Sequence, residues 1–186
     1  LQKTYPQYVE LYQSFTRPVM RADLMRYIIL HHEGGWYFDL DCVPLQAQCL
    51  TGAISDKAEL VVFTETEISE VYAVHVAQQE PIRKGRPERA GPRIANYAMG
   101  SIFKHHFWIQ LLDQMVTRWQ ECTPEQKAAL RPYEVLYITG PDLMTEVFFT
   151  QSEQDEVQLL TSEQSHALIQ HKASHTWIVG DEKPHV

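Results

Sequence analysis

Two pairs of charged side chains stand close together near the start of the chain. Asp23 and Arg26 lie three residues apart in Arg21-Ala22-Asp23-Leu24-Met25-Arg26-Tyr27, and Asp39 and Asp41 lie two apart in Tyr37-Phe38-Asp39-Leu40-Asp41. On a helix, the first spacing puts a carboxylate and a guanidinium on one face, where together they can hold the hydroxyls of a polar ligand. The bland alternative is a surface ion pair worth under about 1 kcal/mol. On an extended segment, the second spacing points both carboxylates to one side, amid Trp36, Tyr37 and Phe38, where unpaired acids are costly. A hard divalent cation relieves that cost, because such ions take carboxylate oxygens and complete their shell with substrate phosphates. A nucleotide diphosphate fits that geometry, although an isolated Asp-x-Asp also arises by chance in acid-rich loops.

These groups need elements to carry them. Pro18 suits the first turn of a helix, after which Leu24, Tyr27, Ile28 and His31 recur at helical spacing until Gly34-Gly35 stops it. Trp36 to Val43 reads as a short strand running into a loop closed by Pro44. Glu59 to Thr64 and Val71 to Ala77 read as buried strands, with a shorter candidate from Ile94 to Ile102. Phe107, Leu111, Met115 and Trp119 stand four apart, so His106 to Glu121 reads as an amphipathic helix, and Pro124 opens another short one. Tyr133 to Ile138 reads as a strand, Asp142 to Thr150 as a helix after the turn Thr139-Gly140-Pro141, and Thr176 to Val179 as a last strand. Gln78 to Pro92, rich in Pro and Gly, reads as a loop whose bases Arg83, Lys84, Arg86, Arg89 and Arg93 are solvated or meet a phosphate. Strands alternating with helices imply a single α/β layered domain over residues 1–186.

The ordered string from Arg21 to Asp41 resembles the signature of the DXD glycosyltransferases of family 32, approximately R-A-D-x-x-R-Y-x-x-L-x-x-x-G-G-x-Y-x-D-x-D, at every specified position. This family includes fungal outer-chain and inositolphosphoceramide mannosyltransferases. Likeness continues in Arg93-Ile94-Ala95-Asn96 with Gly100-Ser101, in His106-Phe107-Trp108, in Thr139-Gly140-Pro141 and from His171 to Trp177. The resemblance implies a GT-A fold, a Rossmann-like mixed sheet flanked by helices. It also implies a nucleotide-sugar donor, Mn²⁺ or Mg²⁺, and retaining transfer of a hexose, with mannose favoured, to a glycan, glycolipid or protein acceptor. Asp23, Arg26 and Asn96 would bind the donor sugar, Tyr37 would lie beside the nucleotide, Asp39 would contact ribose or sugar, and Asp41 would ligate the metal with Asp39 beside it. A histidine before Trp177 would complete the metal shell, either His171 or His175, with His175 favoured. The family's opening strand and Trp-containing segment find no counterpart, so the chain reads as N-terminally truncated. The same likeness places the protein in the Golgi lumen, behind an anchor this sequence lacks, if eukaryotic, and in the cytoplasm if bacterial.

Composition narrows the alternatives. The 186 residues carry 24 acids against 16 bases, a formal charge of −8 that repels a phosphate backbone and makes nucleic acid a poor partner. Three cysteines without a CxxC pair indicate neither a zinc knuckle nor a disulfide framework. His31-His32 and His105-His106 are adjacent pairs that point in different directions and chelate one ion poorly. Two other functions compete with transfer: a non-catalytic sugar- or nucleotide-binding remnant, and a metal-dependent hydrolase, which would use paired carboxylates without needing the whole Arg21 to Tyr37 string.

Overall fold

The structure, a computed structural model, describes residues 1–45, 50, 52–79, 81–83, 89–151 and 156–172. After a 3-10 turn at Pro6–Tyr8 come α1 (Val9–Ser14), α2 (Pro18–Glu33), β1 (Gly35–Phe38), β2 (Cys42–Pro44), β3 (Leu60–Ile68) and α3 (Glu70–Gln79). A second 3-10 turn, Pro81–Arg83, precedes β4 (Gly91–Ser101), α4 (Phe107–Glu121), α5 (Pro124–Ala128), α6 (Pro132–Ile138), α7 (Pro141–Gln151), β5 (Val157–Leu160), α8 (Ser162–Leu168) and β6 (Ile169–His171).

The main sheet has the order β1-β4-β3-β5, with β4 antiparallel to both neighbours and β5 parallel to β3. β2 and β6 form a separate antiparallel ribbon. Alternating side chains of β3 divide the sheet's two faces. Leu60 and Val62 join the larger core with α2, α4, α6 and α7, whereas Val61 and Phe63 join the smaller one with Leu168 of α8 and Ile169 of β6. The apolar stripe of α4 is fully used, with Phe107, Trp108, Leu111, Leu112 and Met115 all sealed from solvent. Each such side chain contributes roughly 1.5–3 kcal/mol of burial. The expected mixed sheet flanked by helices is therefore present.

α2 begins at Pro18 and ends where Gly34 adopts φ 67° and ψ −159°, a conformation open essentially to glycine alone. A Cβ there would also stand 2.6 Å from the Phe103 backbone nitrogen. The reversal sends the chain straight from α2 into β1, which fixes the carboxylates downstream relative to Asp23 and Arg26.

Several elements differ from the sequence reading. Val71 to Ala77 lies in α3, not in a strand: Ser69 Oγ accepts from the Tyr72 backbone N–H at 3.2 Å and starts a helix. Its branched residues misled because they split between faces, with Ala73 and Val76 buried and Val71 81% exposed. Tyr133 to Ile138 is likewise helical, in α6, whose Pro132 occupies the first turn and whose Glu134 carboxylate accepts from the Arg131 backbone N–H at 2.7 Å. Val135 to Ile138 are all buried, so no periodicity marks this short helix. The Gln78 to Pro92 stretch is not one loop, since α3 runs to Gln79, Pro81–Arg83 is a 3-10 turn and β4 starts at Gly91. Thr176 to Val179 lies outside the described residues.

Candidate functional site

Three side chains of α2 point into one buried polar cluster. Asp23 and Arg26 are 2% and 6% exposed, so they are not the surface ion pair that spacing alone would suggest. Arg26 Nη2 lies 3.3 Å from Asp23 Oδ1, and its Nη1 lies 3.2 Å from Asp39 Oδ1 while donating to the Asn96 carbonyl. The same guanidinium sits 5.0 Å from the Tyr37 ring centroid. Asp23 receives two further bonds, from Thr139 Oγ1 at 2.7 Å and from the Asn96 amide at 3.1 Å. The Asn96 amide also reaches the phenol of Tyr27, which donates to the Thr139 carbonyl. Burial raises the Asp23 carboxyl from 3.8 to about 6, against the opposing pull of Arg26 and Thr139. The flanking carboxylates of Asp23 and Asp39 hold Arg26 above its ordinary value despite its burial.

Asp39 and Asp41 converge by a turn, not along an extended strand as the sequence suggested. β1 ends at Phe38, the Cys42 backbone N–H donates to the Asp39 carbonyl at 3.0 Å, and Leu40 between them projects fully into solvent. Asp39 also accepts from the Tyr37 phenol at 2.7 Å. His171 comes to this turn on β6, because Cys42 of β2 registers against it and the Lys172 backbone N–H donates to the Asp41 carbonyl at 3.1 Å. His171 Nε2 lies 3.2 Å from Asp41 Oδ2, and its ring stacks on Tyr97 with centroids 4.1 Å apart.

An irregularity in β4 serves both groups. Val62 of β3 faces Met99 and Thr64 faces Ile94, so Ala95, Asn96, Tyr97 and Ala98 lie opposite the single residue Phe63. Such a bulge frees backbone groups from the ladder and re-aims side chains. The freed Asn96 carbonyl accepts from Arg26, while the Tyr97 carbonyl continues the β1–β4 pairing by accepting from the Asp39 backbone N–H at 2.8 Å.

The potential ligand atoms of Asp39, Asp41 and His171 lie within 4.8 Å of one another. Two carboxylate oxygens and one imidazole nitrogen, partly exposed, suit Mn²⁺ and leave room for further oxygen ligands. His175 lies outside the described residues, and His171 is the histidine found at the cluster. Tyr97 went unmarked in the sequence, where only its place beside Asn96 on a strand, pointing to the opposite side, could have signalled it. Thr139, read as part of the turn before a helix, also donates from its hydroxyl to Asp23 and orients that carboxylate. The reading of the basic stretch as solvated fails for Arg83 and Arg93, both 3% exposed and both paired with buried Asp142, Arg93 at 2.6 Å.

Residues 1–77 match the family described as the glycosyltransferase sugar-binding region containing the DXD motif. Two mannosyl phosphorylinositol ceramide synthases of Saccharomyces cerevisiae are 44% and 42% identical to this chain over 41 residues, 22% of this chain and 11% of each relative. The chain thus matches about a tenth of the length of these curated relatives. Among solved structures, PaToxG glycosyltransferase overlays with a TM-score of 0.50 at 16% identity, covering 81% of this chain and 45% of that one, which is a likeness of fold. Residues 1–77 thus carry a stretch similar to the DXD sugar-binding region of glycosyltransferases, on a mixed α/β sheet of the GT-A kind whose fold is like that of a solved glycosyltransferase.

Proposed function

We propose that the protein is a metal-dependent, retaining glycosyltransferase that moves a hexose, with mannose favoured, from a nucleotide-sugar donor to a glycan, glycolipid or protein acceptor. One observation carries this reading: Asp39 accepts from Arg26 on one side and shares a possible cation site with Asp41 and His171 on the other. Asp39, Asp41 and His171 would hold Mn²⁺ or Mg²⁺, which supplies Lewis-acid stabilisation of charge on the departing diphosphate. Tyr37 and Asp39 contact the donor, and Arg26 reaches it at the edge of its guanidinium. Asp23 and Asn96 act on the donor through Arg26, holding that group so that it does not reorganise as charge develops. The compartment this reading favours is the Golgi lumen. Among the described residues, no helix is long and apolar enough to cross a membrane.

Isothermal titration of GDP-mannose and UDP-sugars, with and without Mn²⁺, into the wild type and Asp41→Ala tests the reading. Binding that requires Mn²⁺ and is lost in the variant is expected, together with transfer to an added acceptor. Donor binding indifferent to both Mn²⁺ and Asp41→Ala would overturn it. Metal-dependent binding with no transfer or hydrolysis would establish the binding-remnant function instead.

A further inference from the structure

We propose that Tyr97 is a positioning residue for cation binding: its ring, stacked on the imidazole of His171, fixes the direction in which Nε2 offers its lone pair. The inference rests on the metal-dependent reading above and assigns a residue that acts on the cation through His171. The two rings lie with centroids 4.1 Å apart and planes 21° from parallel. A stacked imidazole has one face covered and its edge free, and its nitrogen lone pair lies in the ring plane. The stack therefore holds that plane without blocking the approach to Nε2, which already faces Asp41 Oδ2 at 3.2 Å. Metal-binding histidines are ordinarily oriented by a hydrogen bond from their second ring nitrogen. Among the described residues, His171 Nδ1 has no such partner, and the face of the Tyr97 ring performs that task.

The backbone that carries His171 needs such a tie. β6 and its partner β2 are three residues each and stand apart from the main sheet. Tyr97 belongs to β4, an interior strand of that sheet, and is buried. Its carbonyl accepts from the Asp39 backbone N–H at 2.8 Å and from the Cys42 thiol at 3.5 Å. One residue of the sheet thus meets the backbone of Asp39, the residue after Asp41 and the side chain of His171. Stacking raises affinity only where it favours the bound state, and it does so in two ways. It removes rotamer freedom from the imidazole before coordination has to. Coordination also withdraws electrons from the imidazole, and an electron-poor ring is held more strongly over the electron-rich face of a phenol.

Mn²⁺ titration followed by electron paramagnetic resonance, together with NMR of isotope-labelled histidine in the metal-free protein, tests this without turnover. Tyr97→Leu removes the ring but keeps apolar bulk, and should weaken Mn²⁺ binding about fivefold, the size of an aromatic pair. Tyr97→Phe keeps the ring and should stay within about twofold of wild type. In a His171→Ala background, Tyr97→Leu should weaken Mn²⁺ binding no further. The His171 ring protons, assigned by their absence from His171→Ala, should lie upfield in the wild type and in Tyr97→Phe, and return to ordinary positions in Tyr97→Leu. A loss of affinity that persists without His171 would show that the Tyr97 ring serves only the fold. Equal Mn²⁺ affinity in the wild type and Tyr97→Leu would show that the stack does not matter to the cation. Unshifted His171 protons in the wild type would show that the rings do not stack, and that result requires no Tyr97 variant to fold. Where the wild type binds Mn²⁺, each of these three outcomes overturns the inference and leaves the metal-dependent reading standing. Wild type that binds no Mn²⁺ overturns both.

Discussion

Replacing Arg26 by Met removes the positive charge between Asp23 and Asp39, and the loss divides into parts that the geometry specifies. The first is electrostatic. The folded-state carboxyl of Asp23 lies at about 6 against 3.8. A raised carboxyl costs stability as pH rises from its unfolded to its folded value, because the folded state there binds the proton more tightly. At pH 7 this costs about 3 kcal/mol with Arg26 present. Without Arg26 the buried carboxyl stays protonated, and the cost becomes the full price of neutralisation, about 4 kcal/mol at pH 7. The charge part of the substitution is therefore only about 1 kcal/mol at pH 7, and it nearly vanishes at pH 5.5, where wild-type Asp23 is itself mostly protonated.

The second part does not depend on pH. The Asn96 carbonyl loses its donor, at about 1–3 kcal/mol for an orphaned buried acceptor, and the guanidinium over Tyr37 contributes roughly 0.5–1 kcal/mol. Arg26→Met should therefore lose about 3–5 kcal/mol at pH 7, the range found when one partner of a buried pair is removed, and about 1 kcal/mol less at pH 5.5. Urea unfolding followed by tryptophan fluorescence, with the slope held common, measures both. Adding Asp23→Asn should abolish the pH-dependent increment and leave the rest. A loss below about 1 kcal/mol at pH 7, or a loss equal at the two pH values, would show that Arg26 does not neutralise Asp23 and would refute the arrangement.

Other expectations follow from separate parts of the molecule. His171→Ala should weaken Mn²⁺ binding by about tenfold or more while leaving the thermal midpoint within a few degrees, read by calorimetric titration and melting. Gly34→Ala should cost at least roughly 2 kcal/mol, combining backbone strain with a steric clash, because its φ of 67° and the 2.6 Å approach to Phe103 N permit no relief; a melt within a degree of wild type would contradict it. Asp142→Asn removes the negative charge that buried Arg83 and Arg93 share, and should lose about 3–5 kcal/mol in urea without changing Mn²⁺ affinity.

The parts of the fold legible in the sequence were those with a long period or strong punctuation. α2, between Pro18 and Gly34, and α4, with its stripe from Phe107 to Trp119, carry both. α3 and α6 were misread for opposite reasons. The valines of α3 mimic a strand's composition but divide between solvent (Val71, Val74) and core (Val76), and α6 buries Val135 to Ile138 in succession, so neither offers a clear face to count. The Arg21 to Asp41 string located the acidic and basic groups, but not how they meet. Asp39 and Asp41 converge through a turn, and His171 arrives by pairing of β2 with β6, a contact between residues far apart in the chain. Local patterning cannot report a pairing of that kind.

The bulge in β4 joins the two halves of the site more tightly than their residue lists suggest. A regular β3–β4 ladder would spend the Asn96 carbonyl on β3. Here it accepts from Arg26, while the Tyr97 carbonyl extends the β1–β4 pairing to the Asp39 backbone N–H, so one segment of β4 sets the position of the cation on α2 and of the carboxylate after β1. The side chains diverge from the same point: the Asn96 amide turns to Asp23, while the Tyr97 ring supports His171. Asp39 then belongs to both groups, as the partner of Arg26 and as a prospective metal ligand with Asp41 and His171. Under the proposed function, a bound cation would draw Asp39 towards itself and weaken its hold on Arg26, leaving Asp23 as the carboxylate beside that guanidinium. Metal and donor-sugar recognition would therefore, under that function, be coupled through one shared carboxylate, and a variant of Asp39 would disturb both together.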